Sequence, residues 1–364
     1  MCKARKIILA VIAAVLAAVL LVAALLLFPL TGKKHVEVWS AGQEFDLADI
    51  QTVEKTDDDF KILLFTDTQL WTNLSENSRC YKQMDALVEQ TQPDLIVTLG
   101  DNLSAFASRF SIYNFVNKMD SYKIPWAPIF GNHDDEIPVN SLNWQGDQFM
   151  KSQYCLFQKG PSNLYGCGNY VVNITENGAP VYSLFLLDNG RYMEYDNGET
   201  KEVYMGYEQI AWYEWNVNGI AAAAGETVPS MVFTHFAPPQ FKEAVEQYGV
   251  LNEETGVYTI PQEYGSGVCA YLPGCAPVDS GFFDKCKELG STRYMFCGHD
   301  HENNAQVTFE GITMKYGLKT GPSPSLWNYA KEMGATVVTI GSAADGHPVT
   351  IEDVVMETSD GNNG

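Results

Sequence analysis

The chain has 364 residues, 46% hydrophobic and 12% aromatic, enough apolar surface to build a packed core and to exclude general disorder. Its length accommodates two average domains or one large α/β domain. A formal net charge of -22 argues against a nucleic-acid-binding surface, because phosphate backbones are bound by Lys and Arg, but it does not exclude a small phosphorylated substrate held through cations.

Residues 1–34 read as a cytoplasmic tip and a transmembrane signal-anchor. Lys3, Arg5 and Lys6 precede an unbroken apolar run from Ile7 to Leu30. A secretory core spans roughly 7–15 residues and a membrane-spanning helix about 20, so the run fits the second class. No convincing small-x-small cleavage site follows directly, which favours an anchor over a long cleaved signal. The basic residues ahead of the run predict a cytoplasmic N terminus and an extracytoplasmic body, although Lys33 and Lys34 pull the other way. Residues 35–59 read as a polar, acidic connector, 60–356 as the folded body, and 357–364 as a flexible tail.

Within the body, residues 61–66 form a predicted buried strand that stops at Asp67. Cys80, Met84, Leu87 and Val88 follow at the spacing of an amphipathic helix. Residues 94–99 are the next strand, ending at Gly100-Asp101, and a second helix is predicted over 104–119. Residues 126–130 then run into Gly131-Asn132-His133-Asp134. Further on, a strand at 181–187 ends in Asp188, a helix spans 209–223, and 231–233 lead to Thr234-His235. The long polar stretch 237–280 reads as a functional rim. A helix at 281–289 precedes a strand at 294–297, which leads to Gly298-His299-Asp300-His301. Apolar runs at 311–316, 335–340 and 349–355 predict strands that close a second sheet. Alternating strands and helices imply a βαβ core, in which ligands gather at the carboxyl ends of the strands. Among the eight cysteines, Cys155/Cys167 and Cys269/Cys275 are close enough in sequence for loop disulfides, while Cys297 ends an apolar run and reads as a buried thiol.

The strand ends carry the chemistry. Four of only six histidines fall in five polar blocks, beside Asp and Asn. Oxygen donors from Asp and Asn with nitrogen from His suit Mn, Fe or Zn. Asp67 and Asp101 are the candidate carboxylate ligands, one of them bridging. His235, His299 and His301 are candidate imidazole ligands, and Asn132 offers an amide oxygen. His133, with Asp134 beside it, is the candidate acid for a leaving alkoxide.

The order D-x-Q, G-D-N, G-N-H-D, H, G-H-D-H resembles the calcineurin-like metallophosphoesterases over residues 60–340. The segments 186–190, 209–213, 280–283 and 298–303 are similar to plant purple-acid-phosphatase-like proteins and their fungal counterparts. The resemblance implies a four-layer α/β/β/α sandwich with a dinuclear centre. Asp67, Asp101 and His301 would hold one metal; Asp101, Asn132, His235 and His299 would hold the other, with Asp101 as the bridge. His133 would protonate the leaving group or contact phosphate, oriented by Asp134. Two divalent or trivalent ions would bridge a hydroxide that attacks phosphorus. The chain departs from the family pattern at Gln69, where the family usually has His, so the metal beside it is expected to bind more weakly. Ser104 stands where purple acid phosphatases place a tyrosine ligand, which argues against a purple ferric site. Three readings stay open: a phosphomonoesterase, a phosphodiesterase on nucleotides or lipid head groups, and a non-catalytic binding module weakened at Gln69.

Overall fold

A computed structural model of the chain describes residues 2–27, 31–33, 37–105, 107–136, 140–189, 191–194, 200–321 and 332–356; the predicted flexible tail lies outside the described residues. Helix Cys2–Leu27 comes first. Its stretch Arg5–Ala23 has a mean hydropathy of 2.9 and none of it is buried, so it is long and apolar enough to cross a membrane.

Two sheets organise the body. The smaller has five strands, in the order Val349–Met356, Met333–Ile340, Phe60–Phe65, Leu95–Leu99 and Trp126–Ile129. The last three run parallel, and Leu95–Leu99 is buried at every position, as expected for a strand covered on both faces. The larger has eight strands, in the order Gln51–Glu54, Tyr170–Glu176, Ala179–Leu186, Ser230–Phe233, Thr292–Cys297, Ile312–Tyr316, Gln306–Phe309 and Gly265–Ser266. One apolar core joins Phe60, Leu64 and Val97 of the smaller sheet to Val172, Leu184 and Phe233 of the larger. A second core joins Phe185, Val232 and Met295 of the larger sheet to Tyr213 and Val217 of helix Tyr207–Ala224 and to Phe282 of helix Phe282–Leu289.

Three of the predicted strands divide between the sheets. Ile312–Tyr316 lies beside Thr292–Cys297 in the larger sheet, whereas Met333–Ile340 and Val349–Met356 extend the smaller. The helix predicted over 104–119 begins later, at Arg109–Ser121. A bridge between Leu70 and Leu103 and the bond from Ser104 N to Leu70 O keep the preceding residues out of the helix. Helix Leu74–Thr91 is capped by Asn73, whose Oδ1 accepts from Ser75 N at 3.1 Å.

The connector predicted over 35–59 contributes to the fold. Gln51–Glu54 pairs in parallel with Tyr170–Glu176 as an edge strand. Trp39 is buried in the second core, and the buried Lys55 ammonium meets Glu176 at 3.0 Å. His35 lies outside the described residues.

Neither predicted disulfide forms, because Cys155 and Cys269 are free thiols. Different elements hold the members of each pair: Cys155 bridges to Trp126 while Cys167 N donates to Asp188, and Cys269 lies opposite Tyr258 while Cys275 bridges to Ala237. Cys297 is a buried thiol, as expected.

The rim predicted over 237–280 contains helix Pro239–Tyr248 and a small sheet of Val250–Leu251, Tyr258–Thr259 and Val268–Cys269. Asn304 ties this sheet to the loop after His301: its Oδ1 accepts from Val268 N at 2.8 Å, and its N donates to Val268 O at 3.0 Å.

Candidate metal centre

Each block sits where an apolar strand ends, and the paired strands stop side by side. Asp67 follows Phe60–Phe65, Asp101 follows Leu95–Leu99, and Asn132 and His133 open a short helical turn after Trp126–Ile129. His235 follows Ser230–Phe233, and His299 and His301 follow Thr292–Cys297. Asp67, Gln69, Asp101 and His299 adopt left-handed backbone conformations, with φ of 52°, 44°, 48° and 71°. Such conformations cost energy in residues other than glycine and gather at functional sites.

Asp67, Asp101 and His301 form one group, with potential ligand atoms all within 4.8 Å of one another. His301 Nε2 lies 3.2 Å from Asp67 Oδ1. On the other side of Asp101, His235 Nε2 lies 3.4 Å from Asp101 Oδ1 and 3.1 Å from Asn132 Oδ1. His235 Nδ1 donates to Leu99 O at 2.8 Å, which turns Nε2 into the site. The His299 ring stands 5.3 Å from the His235 ring and 4.4 Å from the Phe236 ring, centroid to centroid. Gln69 Nε2 lies 3.4 Å from Asp101 Oδ2 and 3.3 Å from His301 Nε2. The amide nitrogen of Gln69 therefore lies between Asp101 and the imidazole of His301.

This donor set fits metal ions. Asp67 and Asp101 are both 1% exposed, and two buried carboxylates are costly side by side without compensating positive charge. Asp67 Oδ1 faces His301 Nε2 at 3.2 Å, while Oδ2 accepts from Thr66 Oγ1 at 2.5 Å and from His299 N at 3.1 Å. Burial opposes ionisation of Asp67, yet the neighbouring His301, His235 and Lys319 hold its carboxyl well below the usual range. Burial likewise opposes charging of His235, but the Asp101 carboxylate outweighs it and pushes the imidazole up to about 10. The protein thus concentrates negative charge that recruits protons when no metal competes.

His133 and Asp134 do not form the predicted pair. Asp134 is fully buried, and its carboxylate accepts from Gly131 N at 2.9 Å, Leu103 N at 2.9 Å and Asn102 N at 3.3 Å. Burial, then the charge of Asp101, pushes the Asp134 carboxyl up to about 7. It ties two strand-end loops together. The partner of His133 is Glu136, whose Oε2 lies 2.6 Å from Nδ1. His133 Nε2 remains on the side of the carboxylates, 3.8 Å from Asp101 Oδ2. Burial works against its proton, but Asp101 and Glu136 together raise its pKa above the ordinary histidine value.

Three supporting residues carried no role in the sequence reading. Glu136 is one, and its spacing three residues after His133 on a helical turn was the available signal. Lys319 is 1% exposed and donates from Nζ to Asp67 O at 2.7 Å. Asn189 Oδ1 accepts from His235 N and Phe236 N, both at 3.1 Å, and so positions the His235 backbone. No periodicity marks Lys319, whereas Asn189 shares the strand-end pattern of the metal candidates. Asn102 and Asn173 each open a glycosylation triplet, and both are 1% exposed, which leaves them inaccessible to that modification.

A family model described as calcineurin-like phosphoesterase matches residues 60–303. A probable inactive purple acid phosphatase 14 from Arabidopsis thaliana is 28% identical over 64% of this chain and 60% of its own length. Phosphatase DCR2 from Saccharomyces cerevisiae is 28% identical over 70% of this chain and 46% of its own. The chain therefore spans about half to three fifths of the length of these curated relatives. A dimetal phosphatase from Danio rerio has a TM-score of 0.46 and 11% identity, covering 82% of this chain and 99% of its own. The relatives are the plant and fungal proteins that the sequence segments resemble. With 60–303 matched, including every candidate ligand, the chain belongs to the calcineurin-like phosphoesterase family.

Proposed function

We propose that the chain is a metal-dependent phosphoesterase. The observation that carries this reading is the convergence of Asp67, Asp101 and His301 within 4.8 Å, with His235 and Asn132 on the far side of Asp101. Asp67, Gln69, Asp101 and His301 would hold one metal, and Asp101, Asn132, His235 and His299 the other, with Asp101 shared. When bound, the ions supply an activated water and positive charge for the phosphoryl oxygens. Lys319 and Thr66 hold Asp67 in place, and Leu99 O and Asn189 fix His235. His133 keeps a proton on Nε2 for the leaving oxygen, with Glu136 holding Nδ1. The two sheets and their helices are read as a four-layer α/β/β/α sandwich, and helix Cys2–Leu27 as a membrane anchor with the body outside.

A second reading is a non-catalytic phosphate-binding module. It is favoured by Gln69 in place of a ligand histidine and by the Arabidopsis relative being named probable inactive. Turnover of an aryl phosphate monoester and diester by the metal-loaded chain separates the alternatives. Turnover abolished in His133→Ala at retained metal content supports the assigned acid. No turnover of either ester with two metals bound supports the binding module.

A further inference from the structure

A cavity of about 490 Å³ opens beside His301 and carries no assigned role. Val257 and Leu318 form apolar wall, while Glu302, Asn304 and Glu332 supply polar groups. The geometry is built. Asn304 holds the small sheet against the histidine loop through Val268, and its Nδ2 donates to Glu332 Oε2 at 3.2 Å. Asn303 Oδ1 accepts from Ala270 N at 2.9 Å and fixes the same wall from its other end. The loop that carries two metal-ligand candidates therefore also carries the pocket wall.

The charge of this pocket is one-sided. Among the described lining residues there is no Lys or Arg, and the one imidazole, His301, faces Asp67 at 3.2 Å. Two buried lysines lie close by in sequence without lining the pocket: Lys319 Nζ donates to Asp67 O at 2.7 Å, and Lys315 Nζ donates to the Asn304 carbonyl at 2.8 Å and pairs with Asp353 Oδ2 at 2.6 Å. A leaving group with a further phosphate or carboxylate would meet Glu302 and Glu332, with no Lys or Arg among the described lining residues to offset them. A leaving group carrying an ammonium would find two carboxylates.

We propose that this pocket receives the alcohol part of the ester and selects an amine-bearing alcohol over an anionic one. The proposal rests on the phosphoesterase reading and names its substrate class. Three esters of similar size and different charge test it: O-phosphoethanolamine, glycerol 3-phosphate and 3-phosphoglycerate, with an aryl phosphate as reference. For the full metal-loaded chain, kcat/KM is expected to fall in that order, by about tenfold or more from first to last. Glu332→Lys, at an exposed position, is expected to reverse the preference. A flat or inverted order in the native chain, while the aryl phosphate is hydrolysed, overturns the proposal and leaves the phosphoesterase reading standing. An unchanged order in Glu332→Lys overturns the role given to that carboxylate. No turnover of any ester with metals bound overturns the phosphoesterase reading and this proposal with it.

Discussion

Glu136 holds the His133 imidazole at 2.6 Å, while the adjacent Asp134 turns inward to three backbone amides. On a helical turn, residues three apart share a face and neighbours do not, so the pairing follows from the turn rather than from adjacency. The consequence is measurable. His133 must be protonated to serve as the acid, and Glu136 helps to raise its pKa, so activity should persist to higher pH than an ordinary histidine allows. Removing that charge in Glu136→Gln lowers the pKa, and the alkaline limb of kcat/KM should move to lower pH; an unmoved limb would assign the limb to another group. Gln69 gives a second test at this scale. An imidazole is a better donor than an amide, so Gln69→His should tighten binding of the weaker metal by about tenfold. Calorimetric titration of the metal-free chain measures it, and unchanged affinity for both ions would place Gln69 outside the ligand set. The identity of the candidate ligands was legible because each block is polar at the end of an apolar run. Lys319 was not, since a lysine after a strand usually points to water.

At the scale of elements, strands buried on both faces were the most legible part of the chain, because short, mostly apolar runs such as 62–65 and 95–99 leave few alternatives. Gln51–Glu54 was hidden for the opposite reason: it is a short edge strand with alternating burial inside an acidic stretch. Strand-end geometry also explains a glycine. A Cβ on Gly131 would lie 2.2 Å from Asp101 Oδ1 and 2.4 Å from Asp101 N, and would displace the carboxylate proposed to be shared. Gly131→Ala should therefore cost activity on the order of a hundredfold, the scale of a catalytic group misplaced by about 1 Å. Metal content should fall with it while circular dichroism is retained. Full metal content and near-native turnover would mean that the loop yields without moving Asp101.

Across the whole molecule, the segment after the apolar helix is stitched to the body rather than merely tethering it. Ser141 Oγ donates to Thr31 O at 2.6 Å, Lys159 Nζ to Lys33 O at 2.7 Å, and Asn163 pairs with the Trp39 backbone. A chain beginning at Thr31 should keep its thermal stability, whereas one beginning at Phe60 should lose more than about 3 kcal/mol, the scale of removing one buried Trp. Equal melting temperatures would mean that the edge strand and Trp39 add nothing to the body. Under the proposed function, bound cations would offset the buried carboxylates of Asp67 and Asp101. The most direct test is the metal content of the purified full chain, measured by mass spectrometry beside its turnover of an aryl phosphate. Two metals per chain, with turnover lost on chelation and restored on metal return, is the predicted result. One metal or none, with no turnover under metal excess, would contradict it.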